Sequence, residues 1–124
     1  MKNIAQQILR LLIYMVLLTP IMLLAQPICQ IQHFSIYNGL VQRTVSDIVQ
    51  DSKGFIWFST WNGLNRYDGY TFKNYKAYPG DGCTLTSNRI LRIVPDQQNN
   101  IWCQTYDARV YLFDSHQEKF IDIL

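Results

Sequence analysis

Groups that perform catalysis or hold metals are scarce in this sequence. Glu118 is the only glutamate among the 124 residues, and the two histidines, His33 and His116, have no partner at metal-ligand spacing. There is no phosphate-binding glycine loop or HExxH motif. We therefore expect no enzyme activity, no metal site and no cofactor in this segment.

The sequence also lacks an excess of one charge. The formal charge is +2, but the first 25 residues hold Lys2 and Arg10, and the remainder carries nine basic and nine acidic side chains. A neutral surface has no field that attracts phosphate groups, so we expect no nucleic acid to contact this segment. The hydrophobic content of 48% fits a globular protein with one domain at most.

No apolar run has the length of a typical membrane-spanning helix. The longest, residues 11–24, has fourteen positions interrupted by Thr19 and Pro20, against about 20 for a helical span. Basic residues precede this run and the small Ala25 follows it. This order predicts an export signal over residues 1–25 and a periplasmic location, with an uncleaved anchor as the alternative.

The three cysteines match no zinc pattern, and their odd number leaves at least one without a partner in this chain. Cys103 lies in an apolar stretch, and free cysteine is usually buried, so we expect it in the core. The bulky Ile28 before Cys29 argues against a lipid-modified cysteine. Whether Cys29 pairs with Cys83 stays open.

An internal repeat runs through the chain after the apolar segment. At a shift of 45 residues, apolar, aspartate and tryptophan positions of one stretch fall on similar residues of the next. The shift grows further along, as insertions in turns produce. The aligned residues are Leu40, Val45, Ile48, Asp51, Ile56, Trp57 and Thr60, which fall on Leu85, Ile90, Ile93, Asp96, Ile101, Trp102 and Thr105.

Strand periodicity and turn residues predict four short strands in each unit. The run from Phe55 to Phe58 is apolar on both faces of the strand, so both faces of its sheet must be covered. Four-stranded sheets that stack face to face around an axis have this property, which indicates β-propeller blades. The predicted strands are 45–50, 55–60, 64–67 and 71–76, then 90–94, 101–105, 110–113 and 119–123. The predicted blades are 45–78 and 85–124.

These residues resemble the two-component regulator propeller repeat, which has the form D-x-x-G-x-(I/L)-W-(F/I)-G-T followed by G-L-x-R-(Y/F). Residues 51–60 read DSKGFIWFST, and residues 62–69 read NGLNRYDG. The resemblance covers about residues 33–124. It is looser in the second unit, where Ala108 stands in place of Gly63.

The resemblance implies an all-β fold: a lead-in over residues 26–44 with a blade-closing strand, then about two blades of a larger, seven-bladed propeller. It implies the N-terminal part of a Bacteroidetes-type hybrid two-component sensor, whose membrane span, histidine kinase, receiver and DNA-binding parts are absent here. Such sensors recognise oligosaccharides and regulate polysaccharide-utilisation genes. The implied partners are an oligosaccharide ligand, the remaining blades and domains of a longer chain, and a second copy in a homodimer.

Two sets of residues follow from this interpretation. Trp57 and Trp102 lie within strands, so we expect them to fill the space between blades rather than to bind sugar. Arg66 has two readings, as a ligand contact or as a structural partner of Asp68 or Asp47. The expected ligand-binding residues are Trp61, Asn62, Arg66, Tyr106, Asp107 and Arg109. The expected structural residues of the repeat are Asp51, Gly54, Trp57, Thr60, Gly63, Tyr67, Asp96, Trp102, Thr105 and Phe113.

Other functions are also open at this stage. The chain could be an exported propeller that binds or scaffolds, or a polysaccharide-active protein whose acidic pair comes from aspartates. Repeat folds need about three units for stability, so we expect a piece of a longer product, and a non-functional gene fragment is a further alternative.

Overall fold

The computed structural model of this chain describes residues 1–23, 30–78, 80 and 85–123. The chain divides into two units, Met1–Gln32 and His33–Leu124, each described by itself. In the first unit, helix α1 spans Lys2–Leu23. Among the residues that the structure describes, no helix is both long and apolar enough to cross a membrane.

The second unit contains two four-stranded antiparallel sheets, each with its strands in chain order. This arrangement is part of a β-propeller, and the prediction of four strands per repeat is confirmed, with every predicted strand end within one residue of the observed one. The first blade has β1 Val45–Gln50, β2 Ile56–Thr60, β3 Gly63–Tyr67 and β4 Phe72–Tyr75. The second has β5 Ile90–Pro95, β6 Ile101–Thr105, β7 Val110–Asp114 and β8 Lys119–Asp122.

The two blades share the same strand register. Val45 pairs with Thr60, and the register of β1 and β2 shifts directly after Val45. Ile90 pairs with Thr105, and β5 and β6 show the same shift directly after Ile90. Because an irregularity of one strand pair recurs 45 residues later, the repeat seen in the sequence is also a repeat of backbone geometry.

An aspartate organises the first hairpin turn of each blade. Asp51 accepts hydrogen bonds from the N–H groups of Lys53 (2.9 Å) and Phe55 (3.0 Å). Asp96 accepts from the N–H groups of Gln98 and Asn100, both at 2.9 Å. The expected structural role of both aspartates therefore has the same physical basis, which is the satisfaction of turn amides by a carboxylate.

Asn99 ties the turns of the two blades together. It stands at the repeat position of Gly54, and both residues have positive φ, 65° and 88°. The Asn99 side-chain oxygen accepts hydrogen bonds from the N–H (3.1 Å) and hydroxyl (2.6 Å) of Ser52 in the first blade. The departure from glycine in the second repeat thus supplies a contact between blades.

The core between the blades is centred on Trp57. Its side chain is 1% exposed, and its ring lies 6.0 Å from Tyr75 and 5.7 Å from Phe113, measured between ring centres. The indole N–H donates to the second carboxylate oxygen of Asp51 (2.9 Å). Cys103 is buried in the same core as a free thiol, as predicted, and burial raises its pKa. Cys29 and Cys83 lie outside the described residues.

The lead-in segment covers the other face of the first blade. Phe34 packs edge-on against Tyr67, with ring centres 4.7 Å apart, and Leu40 is buried beside Phe58. The predicted blade-closing strand is not found among residues 30–44, where the only regular element is a short 3-10 helix, Ile36–Asn38. A strand needs a neighbouring strand to pair with, and this segment pairs with none in the described part of the chain.

The outer face of the second blade is open in this chain. Trp102 lies on this face and is 37% exposed, so its expected place between two blades stays a prediction. Ile101 and Cys103, its neighbours on β6, point into the core between the blades, so Trp102 points away from it. Val94 on β5 and Ile121 on β8 lie on the same outer face of the sheet, and they are 60% and 41% exposed. The second blade covers Trp57, but no described residue of this chain covers Trp102 in the same way.

Candidate functional site

Equivalent turns of the two blades each present an aromatic ring to solvent. Trp61 follows β2 and is 45% exposed, and Tyr106 follows β6 and is 63% exposed. The Trp61 N–H donates to the carbonyl of Thr44 (3.3 Å), and the Tyr106 N–H donates to the carbonyl of Arg89 (2.9 Å). Each turn is therefore anchored to the residue that directly precedes the first strand of its own blade.

The guanidinium group of Arg89 lies between these two rings. Its central carbon is 3.7 Å from the ring centre of Trp61 and 4.3 Å from the ring centre of Tyr106. Both distances are within the range of cation–π attraction. A single cation thus joins an aromatic residue of the first blade to its equivalent in the second.

Asn88 holds the backbone before Arg89 in place. Its side-chain oxygen accepts from the N–H of Ala77 (2.7 Å), and its side-chain nitrogen donates to the Ala77 carbonyl (2.9 Å). The Asn88 carbonyl accepts from the N–H of Gly63 in the first blade (2.7 Å). These hydrogen bonds hold the backbone before Arg89 against Ala77, in the connection between the blades, and against Gly63, in the turn that carries Trp61.

An acidic group lies directly beside Tyr106 in the chain. Asp107 accepts hydrogen bonds from the hydroxyls of Thr105 and of Thr86, the latter at 2.7 Å. These hydroxyls hold the pKa of the Asp107 carboxyl below its ordinary value, so the group is an anion at neutral pH. We refer to Trp61, Thr86, Arg89, Tyr106 and Asp107 as the rim site.

Arg66 lies in a different place from the rim site. Its guanidinium is 3.7 Å from the carboxylate of Glu118, and not beside Asp68 or Asp47 as the structural reading had it. Glu118 also accepts from the Lys73 ammonium (2.6 Å) and from the Tyr75 hydroxyl (2.9 Å). The only glutamate of the chain therefore links the last turn of the second blade to β3 and β4 of the first.

The charges of this cluster shift the acidity of its members. The hydrogen bond from Lys73 is the main reason why the pKa of Glu118 is lowered. Burial, followed by the hydrogen bond to Glu118, raises the pKa of Tyr75. The guanidinium of Arg66 also lies over aromatic rings, those of Phe55, Trp57 and Tyr75.

The remaining expected ligand residues have local partners. Arg109 forms an ion pair with Asp122 on β8 (3.4 Å). The N–H of Asn62 donates to the Thr60 hydroxyl (3.1 Å), which in turn donates to the Gly63 carbonyl (2.8 Å) and closes the turn. Of the six residues expected to bind ligand, the structure places Trp61 and Tyr106 against one guanidinium group, and Asp107 directly follows Tyr106 in the chain.

Sequence reasoning missed Arg89 and Thr86. Neither residue belongs to a repeat motif. Thr44, which stands 45 residues before Arg89, shares only the backbone role of Arg89. The register could have pointed to Arg89, since the residue before each blade's first strand pairs with the residue after its second strand. In the parts of the chain that the structure describes, no group of three or more metal-ligating side chains was found.

Comparison with known proteins connects this geometry to a family. The family model described as "Two component regulator propeller" matches residues 39–62 and 84–107, which contain β1 with β2 and β5 with β6. Two segments of the chain thus match the regulator propeller repeat. This finding confirms the resemblance seen in residues 51–62, and it extends to the second repeat despite the changed turn residues.

Two relatives show the kind of protein in which these propeller repeats occur. Histidine kinase P4 from Formosa agariphila is 43% identical over 53 residues, which make up 43% of this chain and 4% of that protein. The crystal structure of the extracellular domain of BT3049 from B. thetaiotaomicron, described as a hybrid two-component system, superposes with a TM-score of 0.65 at 31% identity. That match covers 73% of this chain and 13% of the other. The propeller repeats thus resemble a sensor's extracellular domain, and the chain spans a small part of either relative.

Proposed function

We propose that this chain is part of the periplasmic ligand-sensing propeller of a hybrid two-component system, and that the rim site binds an oligosaccharide. In this proposal, residues 1–25 direct export, and ligand binding regulates polysaccharide-utilisation genes through a kinase in other parts of the sensor. The similarity to a histidine kinase and to the extracellular domain of a hybrid two-component system supports the sensor part.

The observation that carries the ligand part is the meeting of two exposed rings from neighbouring blades. Trp61 and Tyr106 offer apolar ring surface to the C–H face of a pyranose. Asp107 directly follows Tyr106 in the chain, and its carboxylate and the Thr86 hydroxyl bonded to it can bond to sugar hydroxyls. Binding between blades would also make ligand occupancy sensitive to how the blades are arranged, which is a requirement for a sensor.

We further propose that additional blades cover the outer face of the second blade. Val94 and Trp102 of this face are the repeat equivalents of Val49 and Trp57, which pack against the second blade in this structure. A repeated surface calls for a repeated neighbour, and exposed apolar residues on a sheet face indicate a contact surface. Continued around an axis, this packing gives the larger, seven-bladed propeller.

Removal of the Trp61 ring should weaken sugar binding. In calorimetric titrations with a panel of neutral and acidic oligosaccharides, Trp61→Ala should lower the affinity for the bound sugar by about tenfold, since the ring supplies a stacking surface. Trp102→Ala is the matched control because it removes another exposed indole outside the rim site, and it should leave the affinity unchanged. An affinity that is the same in wild type and Trp61→Ala would remove this residue from the site.

A further inference from the structure

We propose that Arg89 makes the rim site specific for a carboxylate, so that its ligand is an oligosaccharide that contains a uronic acid. This inference rests on the proposed function, which it narrows from sugars in general to acidic sugars. Three features of Arg89 carry it: its place in the repeat, its unused hydrogen-bond donors and its neighbours.

The repeat itself does not require an arginine at position 89. The structural task of this position is to offer a backbone carbonyl to the aromatic residue of the turn, and Thr44 performs it in the first blade. The Arg89 side chain is therefore an addition to the second blade. Its function has to be sought in what its guanidinium group does.

The guanidinium group packs against two rings, but it makes no hydrogen bond with any residue that the structure describes. Its central carbon lies over the rings of Trp61 and Tyr106, 3.7 and 4.3 Å from their centres. None of the ion pairs among the described residues includes Arg89. No described side chain or carbonyl accepts a hydrogen bond from its guanidinium group. Its Nε atom is buried without a partner. Buried donors without an acceptor are rare in proteins and call for an explanation.

The terminal nitrogens of Arg89 are positioned for an incoming anion. They donate to no acceptor in the part of the chain that the structure describes, and Arg89 is half-buried rather than enclosed. An acceptor that bonds these N–H groups approaches in the plane of the guanidinium, along its edge. The edge of a guanidinium presents two parallel N–H groups, which fit the two oxygens of a planar carboxylate.

The carboxylate that follows Tyr106 in the chain restricts the rest of the ligand. Asp107 is an anion and makes its hydrogen bonds with Thr86 and Thr105 rather than with Arg89. It would repel a second negative charge but accept a hydroxyl. A ring that carries one carboxylate and several hydroxyls satisfies both groups, and its C–H surface can contact the aromatic rings. This combination describes a uronic acid.

The test compares an acid with its ester on the 124-residue chain. A galactose trisaccharide that ends in a single galacturonic acid and the methyl ester of that trisaccharide would be titrated calorimetrically, with neutral and monosulfated galactose trisaccharides as further arms. The acid should bind at least about tenfold more tightly than the ester, because the ester loses a charge-assisted pair of hydrogen bonds. Arg89→Gln should abolish this preference, and Arg89→Lys should reduce it. Arg92→Gln removes an exposed arginine with the same change in charge and should preserve it.

Each outcome bears on a distinct statement. Equal binding of acid and ester by the wild type overturns the carboxylate inference, and this comparison requires no variant to fold. Tighter binding of the sulfated sugar also overturns it, as does an acid preference that survives in Arg89→Gln. If the neutral sugar binds and needs Trp61 but not Arg89, the oligosaccharide function stands without this inference. If none of the sugars binds, both proposals fail.

Discussion

Trp57→Ala should lower the free energy of unfolding by about 3–5 kcal/mol, which is the usual cost of removing a buried aromatic side chain. Trp57 is 1% exposed, and its ring contacts Tyr75 in its own blade and Phe113 in the next. The substitution also leaves one carboxylate oxygen of Asp51 without its donor. Because the cavity opens between the blades, we expect the interface to loosen before the strands do.

Trp102→Ala is the matched control at the equivalent repeat position. Its side chain is 37% exposed and its removal leaves no enclosed cavity, so Trp102→Ala should cost clearly less than Trp57→Ala in this chain. Urea denaturation followed by circular dichroism measures both values. Equal costs for the two tryptophans would contradict the placement of one between blades and the other on an open face. In a longer chain whose next blade covers this face, the cost of Trp102→Ala should rise toward that of Trp57→Ala.

Gly63→Ala should lower the free energy of unfolding by about 3 kcal/mol or more, for two independent reasons. The φ angle of Gly63 is 118°, a conformation that residues with a side chain rarely adopt. A Cβ atom at this position would also lie 2.5 Å from the backbone carbonyl oxygen of Tyr75. Since that oxygen belongs to β4, the strand cannot move aside without disturbing its pairing with β3.

Ala108→Gly is the control for this second experiment and should have the opposite sign. Ala108 occupies the repeat position of Gly63 with φ of 63°, in the left-handed region that alanine tolerates at some cost. Glycine there should leave stability unchanged or raise it by up to about 1 kcal/mol. Thermal unfolding of the two variants beside wild type would decide. A harmless Gly63→Ala would show that the turn between β2 and β3 has a different geometry from the one described.

The strands and their repeat could be predicted because their causes are local. Three of the signals act within a few residues. They are the alternation of apolar and polar residues along residues 45–50, the turns organised by Asp51 and Asp96, and the run of β2 that is apolar on both faces. The recurrence of the pattern at 45 residues then fixed the pairing of strands within each blade. Two tryptophans at equivalent positions also identified the layer in which blades meet, although only Trp57 is covered in this chain.

The differences arose where a side chain depends on distant partners. The burial of Trp102 is decided by a neighbouring sheet, not by its own strand, so the repeat pattern alone cannot show it. Arg66 pairs with Glu118, a residue of the other blade that has no place in the repeat motif. Arg89 lies in the rim site because its backbone carbonyl accepts a hydrogen bond from the N–H of Tyr106. This pairing of positions 89 and 106 is known only once the strand register is known. The lead-in residues around Phe34 pack without pairing as a strand.

Nuclear Overhauser measurements between assigned aromatic side chains test most directly that the two repeats form neighbouring blades. The account predicts cross-peaks between the rings of Trp57 and Phe113, whose centres lie 5.7 Å apart across the interface, and none between Trp102 and side chains of the first blade. Cross-peaks from Trp102 to the first blade, together with the absence of any between Trp57 and Phe113, would contradict it.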